Sequence, residues 1–78
     1  MNLKDQKFLR DLGHHLREHR QARGLTQAEL AERCGLHRTF IGSVERGERN
    51  VSILNLRQIV QTLRISLAKL LDESSATP

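Results

Sequence analysis

Cysteine and aromatic residues are scarce in this 78-residue sequence. It contains one cysteine, Cys34, together with two phenylalanines and no tryptophan or tyrosine. A single cysteine excludes an internal disulfide, so burial of aliphatic side chains has to stabilise a domain near the low end of sizes that fold alone. With 37% hydrophobic and only 3% aromatic residues, we expect an interior built from leucine, isoleucine and valine.

Long apolar runs are absent as well. No stretch approaches the ~20 apolar residues of a transmembrane helix, and the N-terminus has no signal-peptide pattern. We therefore expect a soluble cytoplasmic protein with no membrane partner. The sequence shows no internal repeat, low-complexity tract or interdomain linker. This predicts one domain over residues 1–78, with no separate effector-binding domain and no small-molecule ligand.

Positive charge is in excess. Thirteen lysines and arginines stand against nine acidic residues, which gives a formal net charge of +4 and an isoelectric point near 10.2. Such a balance favours a polyanionic partner such as nucleic acid. An acidic membrane surface would attract the same charge, so composition alone does not identify the partner.

The stretch from Thr26 to Arg46 has the pattern of two short helices joined by a tight turn. Thr26 and Glu29 are spaced as a capping box, in which each side chain accepts from the other residue's backbone N–H. Gly35 permits the left-handed backbone that ends one helix and turns the chain into the next. Apolar residues recur on both sides of this glycine: Ala28, Leu30, Ala31, Cys34, Leu36, Ile41 and Val44. The pattern predicts a helix-turn-helix over about residues 26–46.

The second helix of this motif should present short or cationic residues on its outer face: Arg38, Thr39, Gly42, Ser43 and Arg46. Such side chains fit a DNA major groove, and an arginine can donate two hydrogen bonds to guanine O6 and N7. Spacing alone leaves an alternative open. The segment would then be one helical hairpin of a small bundle, with arginines that are merely solvated.

Three further helices are predicted around this motif. Residues 5–22 fit an amphipathic helix that ends at Arg23-Gly24, and Gly13 should weaken it by roughly 1 kcal/mol relative to alanine. Helices over 53–63 and 67–72 should follow, with Ser52 and Ser66 as N-caps. The polar segment 73–78 should fray.

Part of the 53–63 helix has more apolar surface than one buried stripe requires. Ile53, Leu54 and Val60 do not all fit the stripe that faces the core. Surplus apolar surface on so small a protein suggests a partner, and a symmetric dimer is the simplest one.

Three histidines and the single cysteine raise the question of a metal site. His15 and His19 are four residues apart on one helical face, a spacing that two zinc ligands can use. No CxxC and no second histidine pair completes such a site, so we expect no metal and no cofactor. Cys34 should be a small buried residue rather than a reactive thiol. No serine has a histidine at motif spacing and no glycine-rich phosphate loop is present, so no catalytic residue is predicted.

With its flanks, the 26–46 motif resembles the phage-repressor-type (XRE/Cro-like) helix-turn-helix family of bacterial regulators. The flanks are Gly24-Leu25 on one side and Gly47-Glu48-Arg49-Asn50 on the other. Within the family, segments 36–41, 44–47 and 49–50 are similar to the controller proteins of restriction-modification systems. The resemblance covers about residues 10–71. It implies an all-α fold, a compact five-helix domain of the lambda-repressor type.

The resemblance also implies a function. It indicates a sequence-specific regulator of transcription that binds double-stranded DNA as a homodimer on an inverted repeat, with recognition helices about 34 Å apart. RNA polymerase is a further candidate partner, and the protein would be associated with the nucleoid. The implied base-reading residues are Arg38, Thr39 and Ser43. The implied contacts to the DNA backbone are Gln27, His37, Arg46, Arg49 and Asn50.

Other positions of the motif have expected roles too. Arg20 resembles the family's arginine that pairs with a glutamate at the end of the recognition helix, here Glu45, and we expect this ion pair to be partly buried. Gly42 leaves room where relatives carry a larger reader, so DNA shape should supply part of the specificity. Phe40 is expected to pack rather than to contact a thymine methyl group.

Two alternative functions are an antitoxin and an enzyme. An antitoxin would use Ile53, Leu54 and Val60 to bind a partner toxin in addition to DNA, although the six-residue tail is short for that role. An enzyme would need a pocket with a positioned nucleophile, base or metal, and the sequence offers none of these.

Overall fold

The computed structural model describes residues 2–72, which form five helices and no strand. The helices are α1 Leu3–Ala22, α2 Gln27–Cys34, α3 Arg38–Glu45, α4 Ile53–Leu63 and α5 Leu67–Leu70. The prediction of a five-helix all-α domain is confirmed. The predicted frayed segment 73–78 lies outside the described residues.

Side-chain caps determine where the helices begin. Asn2 accepts from the Asp5 N–H at 2.8 Å, so α1 begins two residues before the predicted start. The predicted capping box at α2 is present, with Thr26 Oγ1 accepting from the Glu29 N–H at 3.0 Å and Glu29 Oε1 accepting from the Thr26 N–H at 2.9 Å. Ser52 and Ser66 cap α4 and α5 as expected.

Left-handed residues end two of the helices. Gly35 ends α2 with φ 70°, as the glycine in the predicted turn requires. Arg64 ends α4 with φ 57°, a conformation that the sequence did not indicate because arginine rarely adopts it. The last helix ends at Leu70 and is two residues shorter than predicted.

The core is aliphatic, as the composition predicted. Its largest fully buried side chains come from all five helices: Leu16, Leu30, Ile41, Val44, Ile59, Leu63 and Leu70. In this arrangement α3 packs against both α2 and α1, while α4 packs against α2 and α5. The second helix of the motif is therefore held from two sides.

Two expectations about apolar faces are wrong. Val60 is 7% exposed and belongs to the core, because it lies four residues after Leu56 and three before Leu63, on the same helical face as both. Ala28 is exposed, because residues two apart on a helix face different directions and Leu30 faces inward. Of the apolar surplus assigned to α4, only Ile53 and Leu54 remain in solvent, at 61% and 67% exposure.

Candidate nucleic-acid interface

The first turn of α3 projects from the protein surface. Arg38 and Thr39 are both exposed, and this turn contains no acidic residue. His37 caps the helix, with its Nδ1 accepting from the Thr39 N–H at 3.1 Å. When Nδ1 accepts, the proton of a neutral imidazole is on Nε2, which can donate to an external acceptor. Three donor side chains are thus grouped at the start of α3.

The second half of α3 lies inside the protein. Ile41 and Val44 are buried against the core, and Gly42 and Ser43 are buried beside them. The expectation that Gly42 and Ser43 lie on the outer face is therefore wrong. Because α3 packs between α1 and α2, its inward arc extends to residues that a single-sided helix would expose.

An ion pair connects the end of α3 to α1. Arg20 Nε donates to Glu45 Oε2 at 2.6 Å, and one of its terminal nitrogens donates to Glu45 Oε1 at 3.1 Å. The remaining terminal nitrogen donates to the Leu25 carbonyl at 2.7 Å. The two side chains are 10% and 4% exposed. A bidentate pair of this kind fixes the orientation of α3 relative to α1.

Gln27, an expected contact to the DNA backbone, is joined to the same network. Its amide nitrogen donates to Glu45 Oε1 at 3.0 Å, and the residue is half-buried. A Cβ added at Gly42 would lie 3.3 Å from Gln27 Oε1. The Gln27 side chain therefore lies across α3, close to the side where Gly42 has no side chain.

Two glycines allow α1 to approach the end of α3 closely. A Cβ added at Gly13 would lie within 2.7 Å of the Glu45 carbonyl carbon and nearer still to the carbonyl oxygens of Val44 and Glu45. Gly47 has φ 73°, and a Cβ added there would lie 2.8 Å from Arg10 Cα. From the sequence alone, Gly13 was expected only to weaken α1. A glycine inside an otherwise regular helical pattern was the signal for this contact.

The loop after α3 contains the remaining expected contacts. Arg46 Nε pairs with Glu48 at 3.1 Å on the surface. Arg49 Nε donates to Ser43 Oγ at 3.1 Å, and its guanidinium carbon lies 5.2 Å from the centre of the Phe40 ring. Asn50 is exposed beside the start of α1. The structure thus brings Arg49 against α3, a contact that no sequence pattern indicated.

His15 and Cys34 make contacts within the fold. His15 Nδ1 donates to the Leu70 carbonyl at 3.0 Å, and His14 lies 3.6 Å from Glu18 on the surface of α1. Cys34 Sγ lies 3.4 Å from Thr62 Oγ1, and burial raises the pKa of its thiol. A raised pKa keeps the thiol protonated and weakly nucleophilic. Within residues 2–72 the structure groups no three metal-ligating side chains.

None of the helices formed by residues 2–72 combines the length and the apolar character that a bilayer crossing requires.

The chain is similar to a family of helix-turn-helix proteins and, in sequence and structure, to several control proteins. Residues 16–70 match the profile of the family HTH_3, described as helix-turn-helix. Control protein C.SmaI of Serratia marcescens is 48% identical over 60 residues, covering 77% of this chain and 71% of that protein. Control protein C.BamHI of Bacillus amyloliquefaciens is 46% identical over 48 residues, covering 62% and 59% of the two chains. The crystal structure of the restriction-modification controller protein C.AhdI from Aeromonas hydrophila superposes with a TM-score of 0.78 at 45% identity, covering 80% of this chain and 94% of that one.

Proposed function

This chain belongs to the helix-turn-helix family HTH_3, and we propose that it is a sequence-specific regulator of transcription that binds double-stranded DNA. The observation that best supports this function is the contrast between the two halves of α3. Its first turn offers exposed donors with no acidic residue among them, while its second half is fixed in the core. A rigid helix with a projecting, donor-rich first turn is what a DNA major groove accepts.

The exposed residues have different roles on DNA. Arg38 donates to guanine O6 and N7, and Thr39 contacts a neighbouring base edge. His37, through Nε2, contacts a phosphate close to the start of α3. Arg46 and Asn50 contact phosphates from the loop that follows α3. These phosphate contacts supply affinity for any sequence, whereas Arg38 and Thr39 supply the discrimination.

Two further residues act more indirectly. The half-buried Gln27 contacts the DNA backbone from the start of α2 while its amide remains bonded to Glu45. Gly42 offers no side chain to a base, so the number of direct base contacts is small. DNA shape and deformability then contribute to specificity.

A homodimer is the assembly that we propose. Ile53 and Leu54 are large apolar side chains, exposed next to each other at the start of α4, and pairing with a second copy would remove both from water. A two-fold dimer places two α3 helices in successive major grooves, about 34 Å apart, and therefore favours an inverted-repeat operator. Val60 is not part of this interface because it is buried within the monomer.

The similarity to C.SmaI, C.BamHI and C.AhdI supports a more specific role. We propose that this chain is a controller protein of a restriction-modification system, which acts on DNA close to promoters and there contacts RNA polymerase. The site of action is the cytoplasm, with the protein held at the nucleoid through DNA. No catalytic activity belongs to this role. The antitoxin alternative has no support among these relatives.

Selection of bound sequences from a random duplex pool at physiological salt tests the proposal. We expect enrichment of an inverted repeat, bound by two chains per duplex when stoichiometry is measured by mass. The Arg38→Ala variant, selected in parallel, should enrich a less defined sequence at the same salt concentration. If the wild-type protein enriches no sequence and binds every duplex with the same affinity, the proposed function is wrong.

A separate variant tests the proposed dimer. Leu54→Glu places a charge in the proposed interface at a residue that is 67% exposed in the monomer, so the fold should survive. We expect this variant to sediment as a monomer and to bind the selected repeat more weakly than the wild type. A matched charge at another exposed helical position, Ala28→Glu, should leave the dimer intact.

A further inference from the structure

Arg49 is anchored to α3 at two points. Its Nε donates to Ser43 Oγ at 3.1 Å, and its guanidinium carbon lies 5.2 Å from the centre of the Phe40 ring. The Ser43 hydroxyl itself donates to the Phe40 carbonyl at 2.7 Å, which leaves the lone pairs of the oxygen for Arg49. We refer to Phe40, Ser43 and Arg49 as the Arg49 clip.

The two anchors are themselves packed into the protein. Ser43 is 8% exposed, and Phe40 is half-buried and packed against the core. A guanidinium that is bonded through Nε and lies over an aromatic ring has less rotational freedom than an unattached side chain. Arg49 is therefore restrained beside α3, although the residue as a whole is exposed.

The outer edge of this guanidinium is available for a ligand. Among residues 2–72, the carboxylate of the neighbouring Glu48 pairs with Arg46, and the ion pairs include none with Arg49. Both terminal nitrogens of Arg49 remain as donors in one plane. Such a fork matches a pair of acceptors, either two phosphate oxygens or guanine O6 and N7.

We infer that the Arg49 clip is a preorganised DNA contact, in which Arg49 donates to a pair of acceptors on the duplex and Ser43 and Phe40 are its positioning residues. The inference rests on the proposed DNA-binding function. It gives Ser43 a different role from the base reading that the family resemblance implied, because its hydroxyl already donates to one partner and accepts from another. Ser43 acts on DNA through Arg49. Ordering the side chain before binding should strengthen binding about two- to tenfold.

A double-mutant cycle tests the positioning role. Ser43→Ala, Arg49→Ala and the double variant are compared on the duplex that the wild type selects and on a random duplex. We expect Ser43→Ala to weaken binding about fivefold when Arg49 is present and less than twofold in the Arg49→Ala background. Thermal midpoints are recorded for every variant, so that a loss of folded protein is not mistaken for a loss of contact.

Matched controls separate positioning from general stability. Ser66→Ala removes the hydroxyl that caps α5, so it should lower the thermal midpoint without any dependence on Arg49. Phe40→Tyr keeps the aromatic face and should preserve the coupling between residues 43 and 49, whereas Phe40→Leu should weaken it. Equal losses from Ser43→Ala in both Arg49 backgrounds, or no loss in either, would overturn the inference.

The two possible acceptors give different results with Arg49→Ala. A guanine contact predicts a loss on the selected duplex alone. A phosphate contact predicts equal losses on both duplexes and a shallower salt dependence, by about one unit of slope. Each result supports a DNA contact by Arg49, and unchanged binding to both duplexes contradicts it.

A measurement without DNA distinguishes failure of the clip from failure of the proposed function. In the free protein, the Arg49 Nε–Hε nuclear magnetic resonance signal should exchange with water more slowly than that of the exposed Arg38, and Ser43→Ala should abolish the difference. Exchange as fast as that of Arg38 would show that the clip does not exist, even if the protein binds its operator. A protected signal in a protein that selects no sequence would overturn the DNA-binding function, and with it the role of the clip on DNA.

Discussion

The first turn of α3 places Arg38 and Thr39 in solvent, whereas its last turn places Val44 and the Glu45 carboxylate inside the protein. The two turns belong to one eight-residue helix and are joined by continuous backbone hydrogen bonds. Their difference lies in what surrounds them. The last turn is held by an ion pair with α1 and by backbone contact with Gly13, while the exposed Arg38 and Thr39 lie beside the cap at His37.

This difference shows how a small domain can present a rigid recognition element. An eight-residue helix is not stable alone in water, so its exposed turn needs support from elsewhere. The buried half supplies that support through packing and through the Arg20–Glu45 pair. Variants of the last turn should therefore affect folding, and variants of the exposed Arg38 and Thr39 should affect DNA binding only.

The largest expected effect comes from Glu45→Ala. This change leaves the Arg20 side chain, which is 10% exposed, without its carboxylate, and an uncompensated buried charge costs about 3–5 kcal/mol of stability. Chemical unfolding at pH 7 measures the loss. The surface carboxylate of Glu48 offers a matched control, since its pair with Arg46 is 58% exposed on both sides, and Glu48→Ala should cost no more than about 1 kcal/mol. Equal costs at the two positions would contradict the structural role of the buried pair.

A somewhat smaller loss is expected from Gly13→Ala. Alanine ordinarily stabilises a helix relative to glycine by roughly 1 kcal/mol, but the added methyl group would overlap the backbone of α3. We expect the free energy of unfolding to fall by about 1–3 kcal/mol instead. At Gly42 an added Cβ meets only the ends of the Arg46 and Gln27 side chains, at 3.2 and 3.3 Å, so Gly42→Ala should be neutral or stabilising. Thermal or chemical unfolding should therefore show that Gly13→Ala lowers the stability of the protein, whereas Gly42→Ala does not.

Arg38→Ala tests the other end of α3. Loss of a bidentate guanine contact should weaken binding to the selected duplex by about 1–3 kcal/mol and relax the preference at one base position. The stability of the protein should not change, because the residue is exposed. Lys69→Ala removes the same charge from α5 and should have a much smaller effect on the selected duplex. Titration with selected and random duplexes checks this, and equal weakening of both by Arg38→Ala would refute its role as a base reader.

The smallest expected effect concerns pH and the start of α2. The Thr26 N–H donates to the Glu29 carboxylate, and this hydrogen bonding lowers the pKa of that carboxyl below its ordinary value of 4.5. The unfolded chain binds the proton more readily, so the contribution of Glu29 is complete above pH 4.5 and is lost as the pH falls through the lowered pKa. The thermal midpoint of Glu29→Gln should fall less steeply between pH 5 and 3 than that of the wild type. Ser66→Ala, which removes a helix cap that contains no carboxylate, should follow the wild-type slope.

The elements of this fold could be predicted because their signals are local. Thr26, Ser52 and Ser66 act within one turn of their own position, and Gly35 ends α2 by its own φ angle. The Arg20–Glu45 pair was anticipated from family resemblance, although 25 residues separate the partners. Arg38 and Thr39 are exposed at the start of α3, as the pattern indicated.

The errors and omissions have a common origin in packing between helices. Ser43 was expected in solvent, yet it is buried because α3 is covered by α1 as well as by α2. Gly13 was read as a local weakness, yet its missing side chain is what lets α1 contact the α3 backbone. The attachment of Arg49 to Ser43 and Phe40 depends on the course of the loop after α3, which has no periodic signal.

The sequence by itself determined the helices, their caps, the turn at Gly35 and the positive charge of the chain, since each depends on residue type and short-range spacing. Only the tertiary structure decided how far the buried face of α3 extends beyond Ile41 and Val44, how closely α1 approaches it, and where the Arg49 guanidinium is held. These features depend on contacts between residues far apart in the chain. Their geometry follows from how five short helices share one small core, and no single segment contains that information.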